Sequence, residues 1–219
     1  MTEGYAGWKA LIDLALAEDI GSGDLTTLAT VPVGTSATGV MVAKAPGVIS
    51  GLDAAAYALG QVDPAIVFTP KVADGDAVQP GDVIAELSGP ARSILTGERT
   101  ALNLLQRLSG VATIAAQFVA EVAGTGATIV DTRKTTPGLR ELEKAAVRHG
   151  GAQNHRFGLS DGVLIKDNHL AAIGGPDRVT KAVQAARRRA PHTVRVEVEV
   201  TTLAEVEEAA AAGADIIMF

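Results

Sequence analysis

Residues 127–169 read ATIVDTRKTTPGLRELEKAAVRHGGAQNHRFGLSDGVLIKDNH. Two short apolar runs, 127–130 and 163–165, flank a stretch at 139–148 whose apolar residues recur at helical spacing. The same grammar continues beyond it, with helical patterns at 178–189 and 203–211 and apolar runs at 194–200 and 214–219. Strand and helix in regular alternation predict parallel βα units, as in a doubly wound sheet or a barrel. Thr136-Pro137 reads as a helix start, with a hydroxyl at the cap and proline in the first turn.

Parallel βα architectures collect their chemistry at the carboxyl ends of the strands. Those ends carry Asp131, Thr132, Arg133 and Lys134 after the first run, Lys166, Asp167, Asn168 and His169 after the second, and Glu199 near the end of the third. In VRVEVEV, residues 194–200, alternation puts Arg195, Glu197 and Glu199 on one face. Parallel strands are ordinarily apolar on both faces. Three charges on one face therefore require a wet channel or partners, unless this is an edge strand with one solvated face.

Between Asp131 and Leu170 seven lysines and arginines face five carboxylates, in a chain that carries 19 cations, 25 anions and a net charge of −6. An acidic protein that gathers cations into one stretch is suited to a small, negatively charged ligand. Fixed cations aimed at a common point suit phosphates or several carboxylates, and carboxylates opposite them suit Mg2+. His155 alone reads as well for a structural histidine as for a catalyst. A solvated surface loop is the plainer account of the charges by themselves.

The 219 residues include no cysteine, which excludes disulfides, thiolate metal sites and cysteine nucleophiles. No apolar run is long enough to span a bilayer, and Glu3 with Lys9 makes an unlikeness to a signal peptide; the expectation is a cytoplasmic protein. The acidic balance, without a basic stripe interleaved with aromatics, speaks against nucleic acid. Walker, zinc and nucleophile-elbow spacings are absent.

Upstream, residues 8–17 form a short amphipathic helix pattern and residues 18–24 an acidic, glycine-punctuated loop. Strands are expected at 36–43 and 48–51, with a small-residue helix at 52–59. Turns at Asp74-Gly75 and Pro80-Gly81 join short strands between 66 and 87. KVADGDAVQPGDVIAEL, residues 71–87, is similar to half of a biotinyl or lipoyl carrier, but no lysine stands at the required hairpin tip. Residues 91–123 form the longest helical pattern, expected to break at Gly97 and Gly110. Its polar residues Glu98, Arg99, Asn103 and Arg107 would be the wet face of a plain surface helix. The whole divides into an α/β domain at 1–100 and a run of βα units at 101–219 that stops after four strands, about half of a closed barrel. The last run has no loop or helix after it, which suggests a truncation.

Six motifs occur in order: AEDIGSGDLT (17–26), GERTALN (97–103), DTRKTTPG (131–138), Asn154-His155-Arg156, LIKDNH (164–169) and VEVEV (196–200). Together they closely resemble quinolinate phosphoribosyltransferase. The resemblance implies an N-terminal α/β sandwich followed by an incomplete parallel α/β barrel. It implies a reaction in which quinolinate and 5-phosphoribosyl 1-diphosphate give nicotinate mononucleotide, diphosphate and CO2 in de novo NAD synthesis, with Mg2+. It also implies a homodimer.

Carried over by motif, Arg133, His155, Arg156 and Lys166 hold the quinolinate carboxylates and nearby phosphate, with Thr132 beside them. Lys134 faces the phosphoribosyl diphosphate, and Glu199 serves metal or ribose. Lys134, Lys166 and Glu199 are the expected catalytic groups. Arg99 matches an arginine that reaches into the partner subunit's site. The sequence departs from the family at Ala152, where glycine is usual, and at Phe219, after which the family strand continues to an aspartate. The 219-residue form is therefore expected to turn over poorly.

Overall fold

The computed structural model describes residues 7–219; Glu3, part of the reading of the N-terminus, lies outside them. The chain is mixed α/β and forms two compact units, one reaching to His155 and the other Arg156–Phe219.

The first unit opens with α1 (Gly7–Ile20), whose Ile12 and Leu16 are buried, as the apolar spacing requires. Trp8 meets Tyr57 edge-on at 5.4 Å. The acidic loop expected at 18–24 is shorter than read. Its first three residues finish α1, and Asp24 caps a second helix, α2 (Leu25–Thr30), by accepting from the Thr27 amide at 2.9 Å. A carboxylate at a helix N-cap satisfies one of the orphan amides there.

β1 (Ser36–Val42), β2 (Gly47–Val48), α3 (Leu52–Val62), β3 (Val67–Pro70), β4 (Ala77–Val78) and β5 (Val83–Pro90) follow. β5 lies between β1 and β3, antiparallel to both, while β2 pairs with β4. Residues 71–87 thus belong to small antiparallel sheets.

α4 (Ala91–Glu121) is one continuous helix of 31 residues, running through residue 100 without a break. The breaks expected at Gly97 and Gly110 do not occur. A helical glycine costs roughly 1 kcal/mol relative to alanine, far less than the burial of nine residues along this helix provides. At Gly97 the missing side chain is also used: a Cβ there would stand 3.1 Å from Val62 and 3.2 Å from Leu59 of α3. Leu105 and Leu108 of α4 join Ile12, Leu59 and Ala146 in a single core.

α5 (Arg140–His149) packs on α4 through Ala146, which is fully buried. The close approach is set by Gly150, where a Cβ would fall 2.3 Å from the Ala112 carbonyl oxygen. Residues 127–130 do not form a strand. They contribute one parallel bridge, Val130 to Gln153, backed by the Gln153 amide on the Ile129 carbonyl at 2.9 Å.

The second unit comprises β6 (Val163–Ile165), α6 (Asp167–Ile173), α7 (Arg178–Arg189), β7 (Val196–Glu199), α8 (Leu203–Ala211) and β8 (Ile216–Met218). The three strands are parallel in the order β6-β7-β8, an open sheet. Val179 and Val183 of α7 and Val196 and Val198 of β7 are its fully buried centre. β7 is the middle strand, so the edge-strand account of its charges fails, and Glu197 is only 5% exposed. No helix among the described residues is long and apolar enough to cross a membrane.

Candidate active site

In the first unit, Thr132, Arg133 and Lys134 share the short loop between the Val130 bridge and α5. Thr132 and Lys134 are exposed and Arg133 is half-buried. The Thr132 hydroxyl accepts from the Lys134 amide at 3.1 Å, and the Arg133 carbonyl accepts from Thr135 at 3.0 Å. Both bonds curl the backbone so that successive cations leave a tight turn. The Arg133 Nε is fully shielded from water and has no hydrogen-bond partner.

The two ends of this loop are anchored by adjacent residues of α5. Lys144, 2% exposed, pairs with Asp131 at 2.5 Å. Asp131 also accepts from the His155 amide at 2.8 Å and from Asn154 Nδ2 at 2.7 Å, while Lys144 donates to the His155 carbonyl at 3.1 Å. At the other end, Glu143 accepts from the Thr136 amide at 3.1 Å and its hydroxyl at 2.7 Å, and from Arg107 at 2.9 Å. Burial works to raise the Glu143 carboxyl, but the bonds from Thr136 and Arg107 outweigh it and hold it below its ordinary value.

Thr136 therefore does not cap α5, which begins at Arg140 without a side-chain cap. Its hydroxyl instead bridges Arg107 and Glu143. His155 is half-buried and held through its peptide group. Arg99 is exposed on α4 and lines a groove of about 830 Å³ with Glu98, Leu102, Gln106 and Lys44.

In the second unit, register places Ile165 of β6 opposite Val198 of β7. The next residue of each strand is therefore level at the carboxyl end, and these are Lys166 and Glu199. Their charged groups stand 3.8 Å apart, with the side chains 45% and 36% exposed. Lys166 also starts α6, where its amide donates to His169 Nδ1 at 2.8 Å and its carbonyl accepts from the His169 amide at 2.9 Å. Arg156 donates to the Gly162 carbonyl at 3.0 Å. The turn between them is drawn in by Asp161, which accepts from the Gly158 amide at 2.6 Å.

The structure thus groups Thr132, Arg133 and Lys134 in the first unit, and Lys166 with Glu199 in the second. Glu143 and Lys144, which the sequence shows only as charges in a basic stretch, organise the site together with Asp131, expected at a strand end, and Asn154, expected only as a motif member. The available signal was α5 itself: Glu143 stands three residues before the buried Ala146, hence on the same helix face.

Two family models cover nearly all of the chain: the N-terminal domain of quinolinate phosphoribosyl transferase at residues 24–109 and its C-terminal domain at residues 111–219. A probable carboxylating nicotinate-nucleotide pyrophosphorylase of Bacillus subtilis is 47% identical over 96% of this chain and 72% of its own length. One from Synechocystis is 48% identical over 93% of this chain and 68% of its own. The crystal structure of NadC from Streptococcus pyogenes matches the whole chain and 76% of its own, at 43% identity and a TM-score of 0.92. On this family coverage, this sequence identity and this shared architecture, the chain belongs to the quinolinate phosphoribosyltransferase family.

Proposed function

We propose that this chain binds quinolinate and 5-phosphoribosyl 1-diphosphate and carries the residues that join them with loss of CO2, a cytoplasmic step of NAD synthesis. The observation that carries the reading is Arg133. Its Nε is shut away from water with no acceptor. An unmet buried donor costs about 1–3 kcal/mol, more on a charged group, and a ligand carboxylate that shifts this half-buried side chain enough to reach the Nε–H would relieve that cost with a charge-assisted bond.

In the transfer, the pyridine nitrogen bonds to the sugar C1 while the C1–oxygen bond breaks and its electron pair leaves with diphosphate. In the decarboxylation, the bond from ring carbon 2 to its carboxylate breaks, CO2 departs, and the ring carbon takes a proton. The protein's work is to position the ring nitrogen and to stabilise charge as it separates. In the first unit, Arg133 and His155 would meet carboxylate, with Thr132 shaping the loop, and Lys134 would meet the departing diphosphate; in the second, Arg156 and Lys166 would meet carboxylate or nearby phosphate.

Among the described residues no group of three or more His, Cys, Asp or Glu is placed to cage a metal. Glu199, a single half-exposed carboxylate at a strand end, fits Mg2+ that arrives on substrate phosphates and takes one protein oxygen. The ion would neutralise diphosphate charge.

Arg99, exposed beside a groove, is proposed to serve the partner subunit of a homodimer. Arg99→Ala chains mixed with chains defective at Lys166 should recover activity if it does, and no recovery would place Arg99 in its own subunit's work. The direct test of the reading is calorimetric titration with quinolinate. Saturable binding that Arg133→Met weakens at least tenfold is expected; no binding up to millimolar quinolinate would overturn it.

A further inference from the structure

We infer that Glu143 and Lys144, neighbours on α5, are positioning residues that set the ligand-holding conformation of the 131–136 loop and of His155. The inference rests on the proposed quinolinate reading for its ligand, but its structural half stands separately. α5 presents two opposite charges on its inner side, and each grips a different end of the loop. Lys144 holds Asp131 at the entrance and Glu143 holds Thr136 at the exit. Both are shielded from water, at 2% and 7% exposure. Neither can itself meet a ligand without leaving its partner behind.

The bonds do more than tie the chain down. Asp131 and Lys144 take opposite sides of one residue's backbone, the carboxylate accepting from the His155 amide and the ammonium donating to the His155 carbonyl. Two opposite charges fixed in one pair thus define the plane of the peptide units on either side of that α-carbon. Asn154 adds a third tie, donating to Asp131 at 2.7 Å and to the Lys144 carbonyl at 2.9 Å. Arg107, from α4, completes the Glu143 end by reaching both Glu143 and Thr136.

The consequence is that Arg133 and Lys134 lie on a loop with both ends fixed to one rigid helix turn. A shift at either end redirects the half-buried Arg133 side chain, and an ångström of misplacement weakens a bidentate contact heavily. A buried ion pair is a poor source of net stability, and an apolar pair of similar size often replaces it without loss of folding. That separates a positioning role from a merely structural one.

The test compares the wild-type chain with Asp131→Leu/Lys144→Met, which removes both charges together, and with Glu143→Gln. Amide hydrogen exchange at His155 and Thr136 is read without ligand, quinolinate affinity by calorimetry, and folding by thermal melting. The expected result is cooperative melting in all three proteins. Exchange should be at least tenfold faster at His155 in the double variant and at Thr136 in Glu143→Gln, with quinolinate affinity weakened at least tenfold in each. Folded variants that bind quinolinate as the wild type does would overturn the inference, as would unchanged exchange at both amides. A wild-type chain that does not bind quinolinate, while the two amides respond as stated, would overturn the functional reading and support the positioning. If the double variant fails to melt cooperatively, Glu143→Gln, which keeps the side-chain shape, decides by the same two readouts.

Discussion

Lys144 and Asp131 in the first unit are 2% and 7% exposed and pair at 2.5 Å; Lys166 and Glu199 in the second are 45% and 36% exposed and stand 3.8 Å apart. Both are lysine–carboxylate pairs, and both flank short apolar runs. Their consequences for the molecule differ. The first pair is withdrawn from water and saturated with hydrogen bonds to the backbone, so it is part of the scaffold. The second is wet, loosely spaced and delivered to its place by strand register, so it contributes little to folding and keeps its charges available. Charge in this chain therefore divides by burial into groups that shape the loops and groups that can meet a ligand.

The sharpest way to break that division is to remove one member of each pair. Lys144→Ala strands Asp131 in a buried place and should cost about 3–5 kcal/mol, read as a fall in the denaturation midpoint. Lys166→Met should stay within about 0.5 kcal/mol of wild type while weakening quinolinate binding. Equal stability losses in the two variants would end the comparison.

A smaller effect is expected where α5 meets α4. Gly150→Ala would force a Cβ to within 2.3 Å of the Ala112 carbonyl oxygen, and should cost about 1–3 kcal/mol as overpacking. The same change at Gly110, which has nothing within 4 Å of a built Cβ, should be neutral or slightly stabilising because alanine favours the helix.

The smallest predicted effect concerns acid. Arg178 and the Thr201 amide bond to Glu205 in the second unit and hold its carboxyl down at about 2, against an ordinary 4.5. The folded form thus binds its proton more weakly than the unfolded one. The stabilisation is complete above pH 4.5 and drains away as pH falls toward 2. Arg178→Ala should flatten that part of an acid-denaturation profile; an unchanged profile would show that this exposed arginine is idle.

How much of this was legible depended on whether a feature is local. The helices at 178–189 and 203–211 and the strand at 163–165 match their sequence reading to the residue, because period and flanking polarity decide them. α2 and α6 were missed. At six and seven residues they are too short to show a period, and each is started by a side chain, Asp24 on Thr27 and His169 on Lys166. The strand expected at 127–130 needed a neighbour along its whole length and found one only at Gln153. α4 outlasted its two glycines because α3, α5 and α1 all pack on it.

The site divides in the same manner. Arg133, Lys134, Lys166 and Glu199 were readable as charged residues at the ends of apolar runs. Lys144 was readable only as one more cation in a basic stretch. Nothing in composition distinguishes it from Lys134, although one is buried in an ion pair and the other is exposed. That distinction is made by α5 packing against α4, which no window of neighbouring residues contains.

The ties at residue 155 run from its main chain to Asp131 and Lys144. An amide and a carbonyl are present whatever side chain occupies the position. Evolution, or an engineer, could therefore exchange the imidazole for another group and still have it delivered from the same backbone pose. Chemical preference at this spot can be retuned without redesigning the frame that presents it.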